Sequence, residues 1–60
     1  MSIPAPERIE RRRKRAKLTQ KAAAELIDYG YRSWQEWESG RSVMPQHAWD
    51  LFCIRTKALK

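Results

Sequence analysis

The sequence predicts an all-α domain of four short helices, on three observations. Apolar residues recur at spacings of three and four and nowhere alternate strictly, so no segment reads as a strand. The gaps between those patterns hold residues that start or stop helices: Thr19, Asp28-Tyr29-Gly30, Gly40 and Pro45. A chain of 60 residues can bury only one small core. Residues 6–60 are expected to form that single domain, and residues 1–5, broken by Pro4, a flexible arm.

The first helix should cover residues 6–16. Pro6 suits its first turn, where the missing N–H has no helical partner, and Glu7 complements the positive end of the helix dipole. Its apolar face is thin, essentially Ile9 and Ala16, widened by the aliphatic stems of Arg12 or Arg13. The second helix should run over residues 20–27 with Thr19 as N-cap and Leu18 as a hydrophobic staple. Ala22, Ala23 and Ala24 leave room for a neighbouring helix to come close. Asp28-Tyr29-Gly30 interrupts the pattern, with Gly30 free to take positive φ. A third helix then covers residues 31–39 and stops at Gly40 as a left-handed C′ residue. Residues 41–44 read as a loop. Pro45 is expected at position N1 of a fourth helix that continues over residues 46–58, with a broad stripe of Ala48, Trp49, Leu51, Phe52 and Cys53. The core should comprise Trp34, Trp37, Trp49, Leu26, Ile27, Leu51 and Phe52, with Cys53 as a small buried hydrophobe. Trp49 or Phe52 could exceed what so small a core covers, which makes the fourth helix and the tail 54–60 the expected surface for a second copy.

Composition excludes several functions. One cysteine rules out an internal disulfide, and with a single histidine there is no zinc set, so neither a metal nor a cofactor is expected. His47 and Cys53, six apart on one helix, point in different directions and cannot act as nucleophile and base; no enzyme is expected, nor any small-molecule ligand. No apolar run approaches membrane-spanning length, and Ile3 to Pro6 is too short and broken for a signal-peptide core, so the expected location is cytoplasmic, away from any membrane. The net charge of +6 is unevenly placed: residues 1–21 hold eight bases against two acids, whereas residues 22–60 hold five of each. Such an excess at one end is suited to a polyanion.

The third helix carries the chemistry. Trp34 and Trp37 fall on one side, and Arg32, Gln35, Glu36 and Ser39 at i, i+3, i+4 and i+7 on the other. A rod pinned from behind by indoles presents its polar side outward, as a helix entering a DNA major groove does. Arg can donate twice to guanine, Gln can donate to and accept from adenine, and Glu can accept from cytosine N4. On this side the candidate base-reading residues are Arg32, Gln35 and Glu36, and the candidate partner is double-stranded DNA.

The residues Leu18-Thr19-Gln20, Ala24-Glu25-Leu26, Trp37-Glu38-Ser39-Gly40-Arg41 and Pro45, in register and without a gap from Ile9 to Leu51, resemble the lambda-repressor-like helix-turn-helix proteins of the Cro/C1 type. The resemblance implies that residues 20–39 are the helix-turn-helix proper, that Tyr31 is the first contact position, and that Tyr31 and Ser33 join Arg32, Gln35 and Glu36 as base-reading residues. It implies a phosphate-clamping role for Gln20, flanked by Lys17, Thr19 and Lys21, with Ser39, Arg41 and Ser42 as the matching clamp past the third helix. It also implies a structural ion pair between Arg13 and Glu38. Two positions depart from the family: Asp28 stands where a glycine is usual, and Arg12 where a leucine is usual. The segment from Arg32 to Arg41 further resembles small phage repressors associated with anti-CRISPR operons. By resemblance the chain would be a transcriptional repressor of phage or mobile-element type in a bacterial cell, binding a palindromic operator as a homodimer. An antitoxin-like or inhibitor-like protein-interaction module, or RNA binding through the basic first helix, are the alternatives.

Overall fold

The computed structural model describes residues 4–58. Among these the chain forms four helices and no strand: α1 (Pro6–Arg15), α2 (Gln20–Leu26), α3 (Tyr31–Ser39) and α4 (Gln46–Lys57). Residues 1–3 of the expected arm, and residues 59–60 of the expected dimer tail, lie outside the described residues. Pro4 is buried, and the Ala5 carbonyl accepts the first α1 bonds from the Arg8 and Ile9 amides at 3.0 and 3.1 Å.

Three consecutive helices end in the same hydrogen-bond pattern. After α1, the Leu18 amide donates to the Arg13 carbonyl and the Lys17 amide to that of Lys14, with Lys17 left-handed at φ 60°. After α2, the Tyr29 amide reaches the Ala24 carbonyl and the Asp28 amide that of Glu25, with Asp28 at φ 60°. After α3, Arg41 donates to Glu36 and Gly40 to Trp37, with Gly40 at φ 84°. This is the Schellman arrangement, whose C′ position favours glycine; only the third stop has one. The expectation that Gly30 would take positive φ is therefore corrected. Asp28, whose short polar side chain tolerates the left-handed region, makes the turn, and Gly30 sits at φ −72° as the N-cap of α3. Pro45 is likewise the N-cap of α4 rather than its N1 residue. Its ψ of 146° is extended, and its carbonyl accepts from the Ala48 and Trp49 amides at 3.1 Å each.

The core is aromatic. Trp34 is fully buried and meets Phe52 edge-on at 4.8 Å, while Trp37 packs between Trp34 (5.6 Å) and Tyr29 (5.0 Å). Such edge-to-face pairs add about 0.5–1.5 kcal/mol each beyond area burial. Ile9 from α1, Ala23, Ala24 and Ile27 from α2 and its cap, and Ala48 and Trp49 from α4 close around them. Ala23 and Ala24 are fully buried, so the close approach that small residues permit is used there, while Ala22 is half-buried. Trp49 and Phe52 are 7% and 0% exposed, which removes them as overhanging surface for a second copy. Leu26, Leu51 and Cys53 are half-buried at the margin of the core rather than inside it. Met44, buried in the α3–α4 loop between exposed Val43 and Pro45, anchors that loop.

Arg12 does the work of the usual leucine differently. Its guanidinium reaches across to α4 and donates to the Cys53 carbonyl and the Thr56 hydroxyl, both at 3.3 Å, and the residue is half-buried. Arg55 donates to the Leu26 carbonyl at the end of α2 and lies 3.8 Å from Asp28. It therefore braces the helix-turn-helix from α4 as well as serving its own helix end.

Candidate nucleic-acid interface

Because Trp34 and Trp37 are buried behind α3, the opposite side of that helix must face outward. Arg32, Gln35, Glu36 and Ser39, together with Arg41 beyond the helix, line one open hollow. The Arg32 side chain is 87% exposed and its Nε lies 3.6 Å from Glu36 Oε2. An exposed pair of this kind is worth a few tenths of a kcal/mol and leaves the guanidinium free to turn to a better acceptor. Glu36 also accepts from the Ser42 hydroxyl at 3.2 Å, and its carbonyl takes the Arg41 and Ser42 amides at 3.0 and 3.3 Å. One residue lining the hollow thus fixes the loop that carries Arg41 and Ser42. Tyr31 is exposed at the head of α3 and Ser33 is half-buried; neither lines the hollow.

The other side of the interface is built at the start of α2. Thr19 caps the helix by accepting from the Ala22 amide at 3.1 Å, and Lys17, Thr19 and Lys21 are all exposed. Gln20 turns its amide inward and donates to Glu38 Oε1 at 3.1 Å, which uses one of its two amide hydrogens and leaves the second available. Ser39 spends its hydroxyl proton on the Glu36 carbonyl at 3.0 Å and accepts from the Arg41 amide at 3.4 Å, so it trims the end of α3.

Both sides meet at Glu38. Arg13 grips its carboxylate with two parallel bonds, Nε to Oε2 at 2.6 Å and Nη2 to Oε1 at 3.1 Å, and spends Nη1 on the Leu18 carbonyl at 2.9 Å. The Trp34 indole N–H donates to Oε2 and Gln20 to Oε1, so each oxygen accepts two bonds. The Arg13 and Glu38 side chains are 12% and 7% exposed. Burial pushes the Glu38 pKa up, but hydrogen bonds from Arg13, Trp34 and Gln20 and the nearby guanidinium charge outweigh it and hold the carboxyl below its ordinary value. The bond to Glu38 raises Arg13 against the opposing cost of burial. The pair joins α1 to α3 and, through Gln20, to the head of α2.

Sequence reasoning missed the Trp34 and Gln20 bonds to Glu38; the i, i+4 spacing of Trp34 and Glu38 was the available signal for the first. It also missed the bond between the Tyr29 hydroxyl and His47 Nε2 at 2.9 Å, which ties the turn before α3 to α4 and which no spacing foretold. Among the described residues no cluster of three or more His, Cys, Asp and Glu could hold a metal ion, and no helix is long and apolar enough to cross a membrane.

Comparison with known proteins agrees with this geometry. The chain is similar to the type II methyltransferase M.MspI of Moraxella sp, 44% identical over 39 residues that make up 65% of this chain and 9% of that enzyme. The chain thus spans less than a tenth of the length of that relative. Residues 7–55 match the family described as a helix-turn-helix domain. With four helices, two buried indoles behind α3 and an outward polar face on it, the chain belongs to the helix-turn-helix domain family, in its Cro/C1-like form, and is a DNA-binding domain.

Proposed function

We propose that the chain is a sequence-specific double-stranded DNA-binding transcriptional regulator that acts as a repressor and binds a palindromic operator as a homodimer. The observation that carries this reading is the hollow on α3, whose lining residues Arg32, Gln35, Glu36, Ser39 and Arg41 are all polar or charged. Of these, Arg32, Gln35 and Glu36 carry the donors and acceptors that distinguish guanine, adenine and cytosine in the major groove. Exposed Lys17 and Lys21 at the head of α2, and Arg41 and Ser42 past α3, are the phosphate contacts in this reading, and Gln20 keeps one amide hydrogen for the same purpose. A single domain of this size reads about four to six base pairs, and two copies on a palindrome supply the missing specificity. Exposed Ile54, on the outer side of α4, is the apolar residue best placed for that second copy. The chain acts without catalysis in this reading, since His47 is exposed and bonded to Tyr29 while Cys53 borders the core. A phage or mobile-element origin rests on the family resemblance of the segment from Arg32 to Arg41.

The likeness to a stretch of a much longer methyltransferase supports a second reading, in which the same domain addresses a larger protein to its DNA. Selection of bound fragments from random duplex DNA at near-physiological salt tests both. An inverted repeat with half-sites about one helical turn apart supports the dimeric repressor. An asymmetric short site bound by a monomer supports the addressing module, and no enrichment over random DNA refutes sequence reading altogether.

A further inference from the structure

The two sides of α1 are charged in different ways. Toward α3 the charge is matched, Arg13 pairing with Glu38, and along the exposed surface next to it Lys14 pairs with Glu10 at 3.1 Å. Toward α4 the charges are not matched. Arg8 lies with its guanidinium 5.5 Å from the centre of the Trp49 ring, and Arg12 reaches Cys53 and Thr56, so this side of the helix borders α4. Arg8, Arg11 and Arg15 follow one another at i, i+3 and i+7, all exposed, and among the described residues none of them takes part in a salt bridge. Arg8 with Arg12 and Arg11 with Arg15 are like charges four apart, an arrangement that works against the helix. Arg11 projects about 160° around the helix from Arg13, hence away from α3 and its reading face.

We propose that Arg8, Arg11 and Arg15 form a second, sequence-independent contact for a DNA backbone, so that one molecule reading a site through α3 can hold another duplex segment on its α1 side. The stripe spans about 10 Å of helix axis, enough for forked guanidinium groups to engage consecutive phosphates. A duplex is favoured over an acidic protein because the stripe has no apolar centre. Arg8 covers the Trp49 ring, and the remaining members are charged, whereas protein interfaces depend on desolvated anchors. Phosphate binding driven by counterion release needs none. An all-arginine stripe also lacks the acceptors that reading base edges demands.

The proposal rests on the reading of α3 as the DNA-reading face, and the test separates the two. A duplex carrying a selected site is tethered to beads, the full 60-residue chain is added, and a second fluorescent duplex of random sequence is supplied in solution. Wild type is expected to retain the second duplex. Arg11→Gln with Arg15→Gln, both exposed and unpaired, should bind the tethered site within about three-fold of wild type yet retain roughly ten-fold less of the second duplex. Bridging that survives the double substitution overturns the proposal, as does an equal loss of affinity for the tethered site, which would place the stripe on the same duplex. Preferential capture of single-stranded RNA or of polyglutamate by the stripe also overturns it. Failure of wild type to bind the tethered duplex at all would instead refute the reading face.

Discussion

Replacing Glu38 by alanine would take the acceptor from Arg13, Trp34 and Gln20 at once. Gln20 can turn to solvent, but the Arg13 side chain is only 12% exposed and its guanidinium would be left with only the Leu18 carbonyl, and Trp34 is fully buried. Removing one partner of a buried ion pair costs about 3–5 kcal/mol, chiefly through the charge left behind. A chain of this length has a total stability of about 3–9 kcal/mol, so the variant should be marginal at best. With a urea m-value near 1 kcal/mol/M, the expected loss of about 3 kcal/mol moves the unfolding midpoint down by roughly 3 M. Tryptophan fluorescence through a urea titration reads this directly. Arg13→Met combined with Glu38→Leu removes both charges and should unfold at higher urea than Glu38→Ala alone, because no uncompensated charge remains. A midpoint for Glu38→Ala within about 0.5 M of wild type would show that the pair carries no net stability and would refute the reasoning. The same residue sets the acid limit. Its pKa is depressed in the folded state, so its contribution is complete above the unfolded carboxyl value of about 4.3 and is lost as pH falls through the lower folded value. Wild type should therefore lose stability below about pH 4.3, and Glu38→Gln, compared over the same range, should show a shallower decline.

The two left-handed positions without glycine should respond alike in stability and differently in binding. Lys17→Gly relieves the strain at φ 60° and should raise stability by about 1 kcal/mol in thermal unfolding, while lowering the salt slope of DNA binding by about one contact. Asp28→Gly should stabilise less, by a few tenths of a kcal/mol, because Asp tolerates this geometry and the exposed pair with Arg55 is lost. A drop in melting temperature for either variant would contradict the strain argument. Arg32→Ala should cost about 1–3 kcal/mol on a selected site and little on random duplex in fluorescence anisotropy; equal losses on both would make it a phosphate contact. Arg12→Leu should leave stability within about 1 kcal/mol of wild type, since two long bonds at 3.3 Å are exchanged for apolar cover; a loss above 3 kcal/mol would show that the bonds to Cys53 and Thr56 are indispensable.

The helices were legible because their signals are local. Thr19 ahead of three alanines, Gly40 after Ser39, and the pairing of Trp34 with Trp37 each fix an element within a few residues, and α3 spans the same nine residues in sequence and structure. The start of α4 was misplaced by one residue because proline is compatible with both N1 and a cap that contributes only its carbonyl. The turn was misassigned for a related reason. Glycine at position 30 is a strong local cue, but the hydrogen bonds that close α2 demand the left-handed residue two places earlier. Contacts between distant segments were the least legible. Arg55 on the Leu26 carbonyl, Tyr29 on His47 and Arg12 on Thr56 depend on where α4 comes to rest, which no periodicity encodes. The outward face of α3 followed from the position of its indoles, whereas the turned-in amide of Gln20 depended on the carboxylate waiting beneath it.

Met44 adds a chemical vulnerability to this arrangement. Its thioether is the apolar plug of the loop that carries Arg41 and Ser42, and it is 1% exposed. Conversion to the sulfoxide would give it a polar oxygen that the aromatic core cannot solvate, and the loop would lose its seat. Shielded as the sulfur is, peroxide could reach it only as fast as the loop lifts, so the rate of that oxidation would measure how often this edge of the domain comes open.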